Sequence, residues 1–387
     1  MKASEFPDPF KKERTQSGVY KIEDHGEEVD LILRLRDLRK CAHSWETFSS
    51  GDAVPGRIVI PSEEDIRDVR QIPVEMDPPE QADFRSLIES WFKRPLEDEY
   101  QGKLDEIIEE LISDALSKEE VEVVSEFSLR LQSRALTVLL NTPMDESDTW
   151  IEWGTHVFRG EGGALNSEKA NIVDDYILKR IQEASENPTD DLFSVLLQSE
   201  VNGNQLSKEE VHGIMNLTFA GGRDTVINAV TNTIIYFADH PERLNWLREN
   251  PEFIGKSVEE LVRYFTPLTH LGRVAREETF VCEHAIKKGS KIGLGWASAN
   301  RDESVFENPD EVILDRKVNP HVAFGFGIHN CLGATHARQI LRKVVKKLSE
   351  KVDSIEIKDF IENIETIGDL KRKVGFEEIT VTFNPKK

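Results

Sequence analysis

The densest cluster of unusual residue choices in this 387-residue chain is Phe324-Gly325-Phe326-Gly327-Ile328-His329-Asn330-Cys331-Leu332-Gly333. Three glycines surround one cysteine, and a helical pattern follows at once. A cysteine presented on such a loop at a helix N-terminus has its thiolate stabilised by backbone N–H groups and by the helix dipole. The glycines let a flat ligand come close to the backbone. An isolated cysteine in a tight turn is otherwise a buried structural thiol. A second cluster, Ala220-Gly221-Gly222-Arg223-Asp224-Thr225, lies inside a long helical pattern. Adjacent glycines there cost about 1 kcal/mol each relative to alanine, so close approach of a ligand is one reason for them. The other is a helix crossing, with Thr225 bonding back to a carbonyl one turn earlier. Glu260 and Arg263 stand three apart, the spacing of a surface pair or of a capping-box glutamate.

The elements that position these residues are mostly helical. Leu104, Ile107, Ile108, Leu111, Ile112, Ala115 and Leu116 repeat at three and four residues and predict an amphipathic helix. Similar patterns run from Val124 to Leu140 and from Ile172 to Ile181. Ser207 with Glu210 forms a capping box that opens a long helix, predicted to continue to about Phe237 before Pro241. A second such pair, Ser257 with Glu260, opens or lies within the helix ending at Pro267. Alternation appears at Thr279–His284, Lys291–Ala297 and Ile379–Phe383, so strands are expected to be few and late. Five prolines between Val54 and Pro79 predict an extended loop, and Gly160-Glu161-Gly162-Gly163 a hinge or loop tip. The fold class expected is mainly α with minor β. No repeat or composition break divides residues 1–387, so one domain is expected, with 1–75 its less distinctive part.

Composition removes several classes of function. Lys+Arg 49 against Asp+Glu 72 gives a formal charge of −23, a field that repels nucleic acid and anionic membrane. No apolar run is long enough for a membrane span and Met1-Lys2-Ala3-Ser4-Glu5 has no apolar signal core, so the cytoplasm is the expected location. Cys41, Cys282 and Cys331 form neither a disulfide framework nor a zinc-ligand spacing, and the histidines include no HExxH.

The cysteine loop resembles the haem-binding loop of the cytochrome P-450 monooxygenases, in which a cysteine thiolate is the proximal ligand of haem iron. The resemblance runs from about Met76 to the C-terminus and includes Asn300-Arg301-Asp302. It implies a P-450 fold with haem b between a long distal helix and a proximal cysteine loop, and Cys331 as the iron ligand. Gly221 then leaves room on the distal side, and Asp224 and Thr225 are the acid–alcohol pair that supplies protons there. Glu260 and Arg263 match the family's ExxR motif, with Arg316 at the place of its arginine partner. Phe324, Gly325 and Gly333 shape the loop. Propionates need cationic or hydrogen-bonding partners, and the candidates are Gln81, Arg85, Arg273, His321 and His329; for the two histidines a satisfied core role is the alternative. Most members of the family have histidine where this chain has Gln81, but the camphor-hydroxylating branch also has glutamine there.

The same resemblance implies electrons from NAD(P)H through a separate ferredoxin and ferredoxin reductase, since no reductase is fused, and a monomeric enzyme. Arg338, Arg342, Lys343, Lys346, Lys347 and Lys351 form a basic run after Cys331, either a docking face for an acidic ferredoxin or a solvated helix face. The substrate pocket is expected to be lined by the Pro55–Ile72 loop with Arg57, Arg67 and Arg70, by Asn216, Leu217 and Ala220, by Leu268 to Leu271 with Thr269 and His270, and by Val374 to Phe376. Polar lining favours an oxygenated substrate. The chain is also similar to the bacterial group that oxidatively demethylates 6-O-methyl-D-galactose, which implies a methylated monosaccharide and release of formaldehyde. Hydroxylation of a terpenoid or aromatic acid is the alternative within the class. Outside it stands a non-catalytic haem-thiolate sensor or carrier, which would need neither Asp224 nor Thr225; a peroxide-using relative is a further possibility.

Overall fold

Three of the five strands of the main sheet come from the polar N-terminal stretch, against the expectation that strands are late. The sheet runs in the order Val19–Asp24, Glu27–Ile32, Lys291–Leu294, Leu271–Ala275, Phe48–Ser49. The computed structural model describes residues 2–24, 27–52, 69–155 and 167–386. Most of the proline-rich loop, with Arg57 and Arg67, and the whole of Gly160–Gly163 lie outside the described residues. The early hairpin was hidden because its outward positions carry charges that pair across strands, such as Lys21 with Glu28, while Val19, Ile22, Val29 and Leu31 face inward. Lys291–Leu294 lies parallel to Glu27–Ile32 and antiparallel to Leu271–Ala275, so this sheet ties the N-terminal part to the late strands. A long hairpin, Val352–Ile367 with Leu370–Pro385, joins Val121–Glu122 in a second sheet.

The helices follow the periodicity more closely. Asp98–Ser117 buries Tyr100, Leu104, Ile107, Ile108, Leu111, Ile112 and Ala115. The Ser207–Glu210 box forms, with Ser207 Oγ accepting from the Glu210 N–H at 3.2 Å and Glu210 Oε2 accepting from the Ser207 N–H at 2.7 Å. The long helix that follows is not continuous: it is two helices, Lys208–Gly222 and Asp224–Asp239, broken at Arg223 with φ −103° and ψ −78°. The Val124–Leu140 pattern likewise divides into a wide turn, Val123–Leu129, and the helix Arg130–Leu140. Ser257 and Glu260 lie inside Ile254–Phe265 and form no capping box, because Ser257 Oγ donates to the Leu314 carbonyl at 3.0 Å and Glu260 binds arginines.

That glutamate is the charged node behind the cysteine loop. Glu260 and Arg263 are both fully buried, with Arg263 Nε and Nη2 each donating at 2.8 Å to one carboxylate oxygen, and Arg316 Nε adding a third bond at 2.9 Å. The Ile313 N–H also donates to Glu260 at 2.9 Å. Burial works to raise the Glu260 carboxyl, but these donors outweigh it and hold it below its ordinary range. Arg263 Nη1 reaches the Asn300 carbonyl at 2.8 Å, and Asn300 Oδ1 accepts from the Val322 N–H at 2.8 Å. The node therefore fixes the chain two residues ahead of Phe324. Leaving two buried arginines without their carboxylate costs about 3–5 kcal/mol, and Glu260→Ala is expected to lower unfolding stability by that order in urea denaturation. An unchanged midpoint would show that the node bears no structural load.

Candidate active site

The loop that carries Cys331 is built from two left-handed glycines. Gly325 has φ +74° and Gly327 φ +77°, and a Cβ at Gly327 would lie 2.7 Å from the Ala42 carbonyl oxygen. Only glycine takes that turn against the helix Leu35–His43 without strain. The Cys331 N–H donates to the Phe324 carbonyl at 2.8 Å, closing the loop, and the helix Ala334–Lys351 starts immediately after Gly333. Phe324 is held by the Arg338 guanidinium, 4.3 Å from its ring centroid. Of the three cysteines, Cys41 is buried, Cys282 intermediate and Cys331 exposed. Although Cys331 keeps open surface, the protein packed around its sulfur raises the thiol pKa, opposed by the Gly333 and Ala334 N–H groups and by Arg338 and Arg85.

Three donors converge beside this loop. His329 Nε2 is buried with no hydrogen-bond partner. Burial first, then the neighbouring Arg273 and Arg85, push the His329 pKa down to about 3. Arg273, 3% exposed, bonds at Nη1 to the neighbouring Gly272 carbonyl at 2.6 Å, and burial lowers its pKa to about 10 despite the nearby charge of Asp77. Arg85, half-buried, is also lowered by burial. Asp77 and Glu89 act on these cations from nearby, but among the described residues neither arginine is in an ion pair, and with the unpartnered imidazole they can take an added anion. Gln81, 1% exposed, donates Nε2 to the Ile328 carbonyl at 2.9 Å and so braces the loop from the helix Glu80–Trp91. His321 is a correction to the propionate set: its Nε2 meets Glu259 Oε2 at 3.0 Å and its Nδ1 accepts from the Ala323 N–H at 3.3 Å, so both ring nitrogens are used in packing the loop.

The other wall is the broken helix. Leu217, Ala220, Gly222, Asp224, Thr225 and Asn228 are half-buried and Gly221 exposed, in a helix pair whose other side chains are mostly buried. A Cβ at Gly221 would meet nothing within 4 Å, which is the space a planar group needs. Thr225 Oγ1 donates to the Gly221 carbonyl at 3.0 Å, so the back-bonding expected as the alternative does occur and leaves the hydroxyl lone pairs as acceptors. Gln132 Nε2 donates to the Gly222 carbonyl at 3.0 Å. The sequence reading missed Gln132 and Arg223; the only signal for Gln132 was one amide within the apolar run of Arg130–Leu140.

Half of the expected substrate lining is engaged elsewhere. Asn216, fully buried, accepts from Gln71 Nε2 and donates to Asp174 Oδ1, both at 2.8 Å, and His212 Nε2 lies 2.8 Å from the same Asp174 oxygen. Asn216 therefore ties two neighbouring segments to the helix. Thr269 Oγ1 bonds Glu365 and accepts from Arg372 Nη1 at 2.8 Å. Phe376 packs edge-on against Phe360 at 5.8 Å, with Lys373 Nζ 4.3 Å from its centroid. Arg70 is exposed and reaches the Gly51 carbonyl at 3.4 Å. Leu217, Ala220 and His270 keep open surface.

The cytochrome P450 family model matches residues 163–351. The biotin biosynthesis cytochrome P450 of Bacillus subtilis (strain 168) is 30% identical over 312 residues, 79% of this chain and 78% of that protein. The chain belongs to the cytochrome P450 family. Linalool 8-monooxygenase of Pseudomonas putida is 29% identical over 367 residues, 90% of this chain and 89% of that one. A solved structure described as that of a carbohydrate active P450 is 61% identical, covers 100% of both chains and superposes with a TM-score of 0.97. Fold and chemistry follow: this P450 is an oxidoreductase whose cofactor is haem b, seated between the distal helix pair and the proximal cysteine loop, with electrons drawn from NAD(P)H through partner proteins. No helix among the described residues is long and apolar enough to cross a membrane. The exposed Gly221, the unpartnered His329 Nε2 and the Arg85–Arg273 pair fit a planar group bearing two carboxylates.

Two experiments follow from this P450's site. Arg273→Leu is expected to lower the haem-to-protein ratio after dialysis at least severalfold, and full retention would remove Arg273 from the propionate set. Burial alone would raise Glu259, but hydrogen bonds from His321 and Arg338 hold it at about 2. A depressed carboxylate gives stability that is complete above its unfolded pKa, about 4.5, and lost as pH falls toward about 2. Thermal unfolding of Glu259→Gln is expected to lose that part of the acid dependence; a slope equal to wild type would contradict the assignment.

Proposed function

We propose that Cys331 is the thiolate ligand of the haem, that Arg85, Arg273 and His329 hold its propionates with Gln81 bracing the loop, and that the enzyme oxidatively demethylates a methylated sugar, 6-O-methyl-D-galactose. The haem supplies activation of dioxygen when bound. The chain supplies the rest: Phe324, Gly325 and Gly333 shape the loop around the sulfur, Gly221 leaves space on the distal side, and Asp224 and Thr225 hold protons for transfer there. At rest the Thr225 hydroxyl donates to the Gly221 carbonyl and can accept a hydrogen bond at its lone pairs; turning away from that carbonyl would free its hydrogen for the transfer. A methyl ether carbon hydroxylated at this site becomes a hemiacetal, which splits into the alcohol and formaldehyde. Per turnover, one O2, one NAD(P)H and one proton are consumed and one water leaves.

The likeness to the carbohydrate active P450, 61% identical over the whole chain, supports the sugar reading most strongly. His270, half-buried on the strand side, is the polar group best suited to meet a hydroxyl, with Leu217 and Ala220 against the ring's apolar face. Hydroxylation of a terpenoid is the second reading, favoured by the 29% identity to linalool 8-monooxygenase.

Electrons would come from a separate ferredoxin and its reductase, in the cytoplasm. The basic run on the cysteine helix is less free than its sequence suggests. Lys343 pairs with Asp105 at 2.6 Å, Lys347 with Glu109 at 2.9 Å, Lys351 with the same glutamate, and Arg338 with Glu259 at 2.7 Å. Most of the run thus serves helix packing, which leaves Arg342 and Lys346 as its more exposed cations.

Incubating the enzyme with 6-O-methyl-D-galactose, ferredoxin, reductase and NAD(P)H tests the proposal. Stoichiometric formaldehyde and galactose are expected. No formaldehyde and no substrate-induced spectral change, with turnover of linalool instead, would replace the sugar reading by the terpenoid one.

A further inference from the structure

Arg223 is the residue at which the distal helix breaks, and the burial of its charge is only partly compensated. Its side chain is fully buried. One nitrogen, Nη2, donates to the Trp150 carbonyl at 2.9 Å and to the Gly154 carbonyl at 2.8 Å, at the C-terminal end of the helix Glu146–Glu152. The guanidinium carbon lies 5.3 Å from the Trp153 ring centroid. Among the described residues Nε and Nη1 are buried without a hydrogen-bond partner and no carboxylate forms an ion pair with Arg223; burial lowers its pKa to about 10, opposed by the charge of the neighbouring Asp224. Helix C-terminal carbonyls and an aromatic face attract a cation, but two unmet N–H groups and a desolvated charge oppose it. An apolar side chain of similar length is often neutral or stabilising in such a place. A group whose burial is this poorly compensated points to a role other than holding the fold.

Its position says what that role is. Asp224 follows it directly and Thr225 comes next. The break at Arg223 frees the Gly221 and Gly222 carbonyls from the regular ladder, and these are the two that Thr225 and Gln132 cap. Arg223 anchors the break to the end of the helix Glu146–Glu152, so its contacts, the Gln132 bond and the Thr225 back-bond together fix the segment that carries Asp224. We propose that Arg223 is a positioning residue for proton delivery: its Nη2, held on two carbonyls, with the guanidinium packed at Trp153, sets the helix break and thereby aims Asp224 and Thr225. This rests on the reading of Asp224 and Thr225 as the proton-supplying pair. Lysine keeps the charge but lacks the planar guanidinium that packs at Trp153.

Arg223→Met, Arg223→Lys and Asp224→Asn are compared with wild type. Arg223→Met is expected to fold with an unchanged or higher melting temperature, to bind haem and substrate as before, and to divert at least threefold more of its NAD(P)H electrons into hydrogen peroxide, formed from O2, two electrons and two protons, instead of product. Amide hydrogen exchange across residues 219–228 is expected to rise in that variant without turnover, and Arg223→Lys to recover less than half of the lost coupling. If Asp224→Asn uncouples the reaction and Arg223→Met leaves both coupling and exchange at wild-type levels, the inference falls while the reading of the pair stands. If neither substitution changes the peroxide share, both fall.

Discussion

The placing of Cys331 on a tightly wound loop, amid donors that oppose the cost of charging its sulfur, is the constraint on which the proposed site depends. Burial disfavours the charged thiol, and the chain opposes it with local donors: the N–H groups of Gly333 and Ala334, then the charges of Arg338 and Arg85. Those donors work only if the loop from Phe324 to Gly333 keeps one conformation. Gly325 and Gly327 take the left-handed turns that it requires, and the contact with Ala42 leaves no room for a side chain at Gly327.

The loop is in turn fixed by a relay of buried polar groups. Glu260 binds Arg263 and Arg316, Arg263 binds the Asn300 carbonyl, and the Asn300 amide accepts from Val322. On the outer side Glu259 gathers His321, Arg338 and Arg342. Neighbouring glutamates on one helix thus face opposite ways, one into the core and one toward the cysteine helix. Glu260 neutralises two arginines that would otherwise be costly to bury, Glu259 pairs with the partly exposed Arg338 and Arg342, and each interaction also sets the position of the loop.

The parts of the site that lie close together in sequence were legible before the structure. The cysteine loop, the Gly221–Thr225 segment and the Glu260–Arg263 spacing each carry their signal within ten residues; in the structure the loop closes through the Cys331–Phe324 bond, the helix breaks at Arg223 with Thr225 bonded back to Gly221, and Glu260 binds Arg263 and Arg316. What depended on distant partners was less visible. Thr269 and Phe376 looked available for substrate because Arg372, Glu365, Phe360 and Lys373 are remote in sequence; in the fold they occupy those side chains. The basic run after Cys331 looked free for the same reason, as Asp105 and Glu109 neutralise it from a helix more than two hundred residues away. The early hairpin escaped notice since charge pairs on its outer face mask the alternation of its core residues.

The coordination of iron by Cys331 is tested most directly by the absorption spectrum of the reduced protein with carbon monoxide, recorded for wild type and for Cys331→His. The account predicts the red-shifted band of thiolate-bound haem in wild type, and its loss, with haem still present, when imidazole replaces the thiolate. A wild-type spectrum without that band, or a variant indistinguishable from wild type, would contradict it.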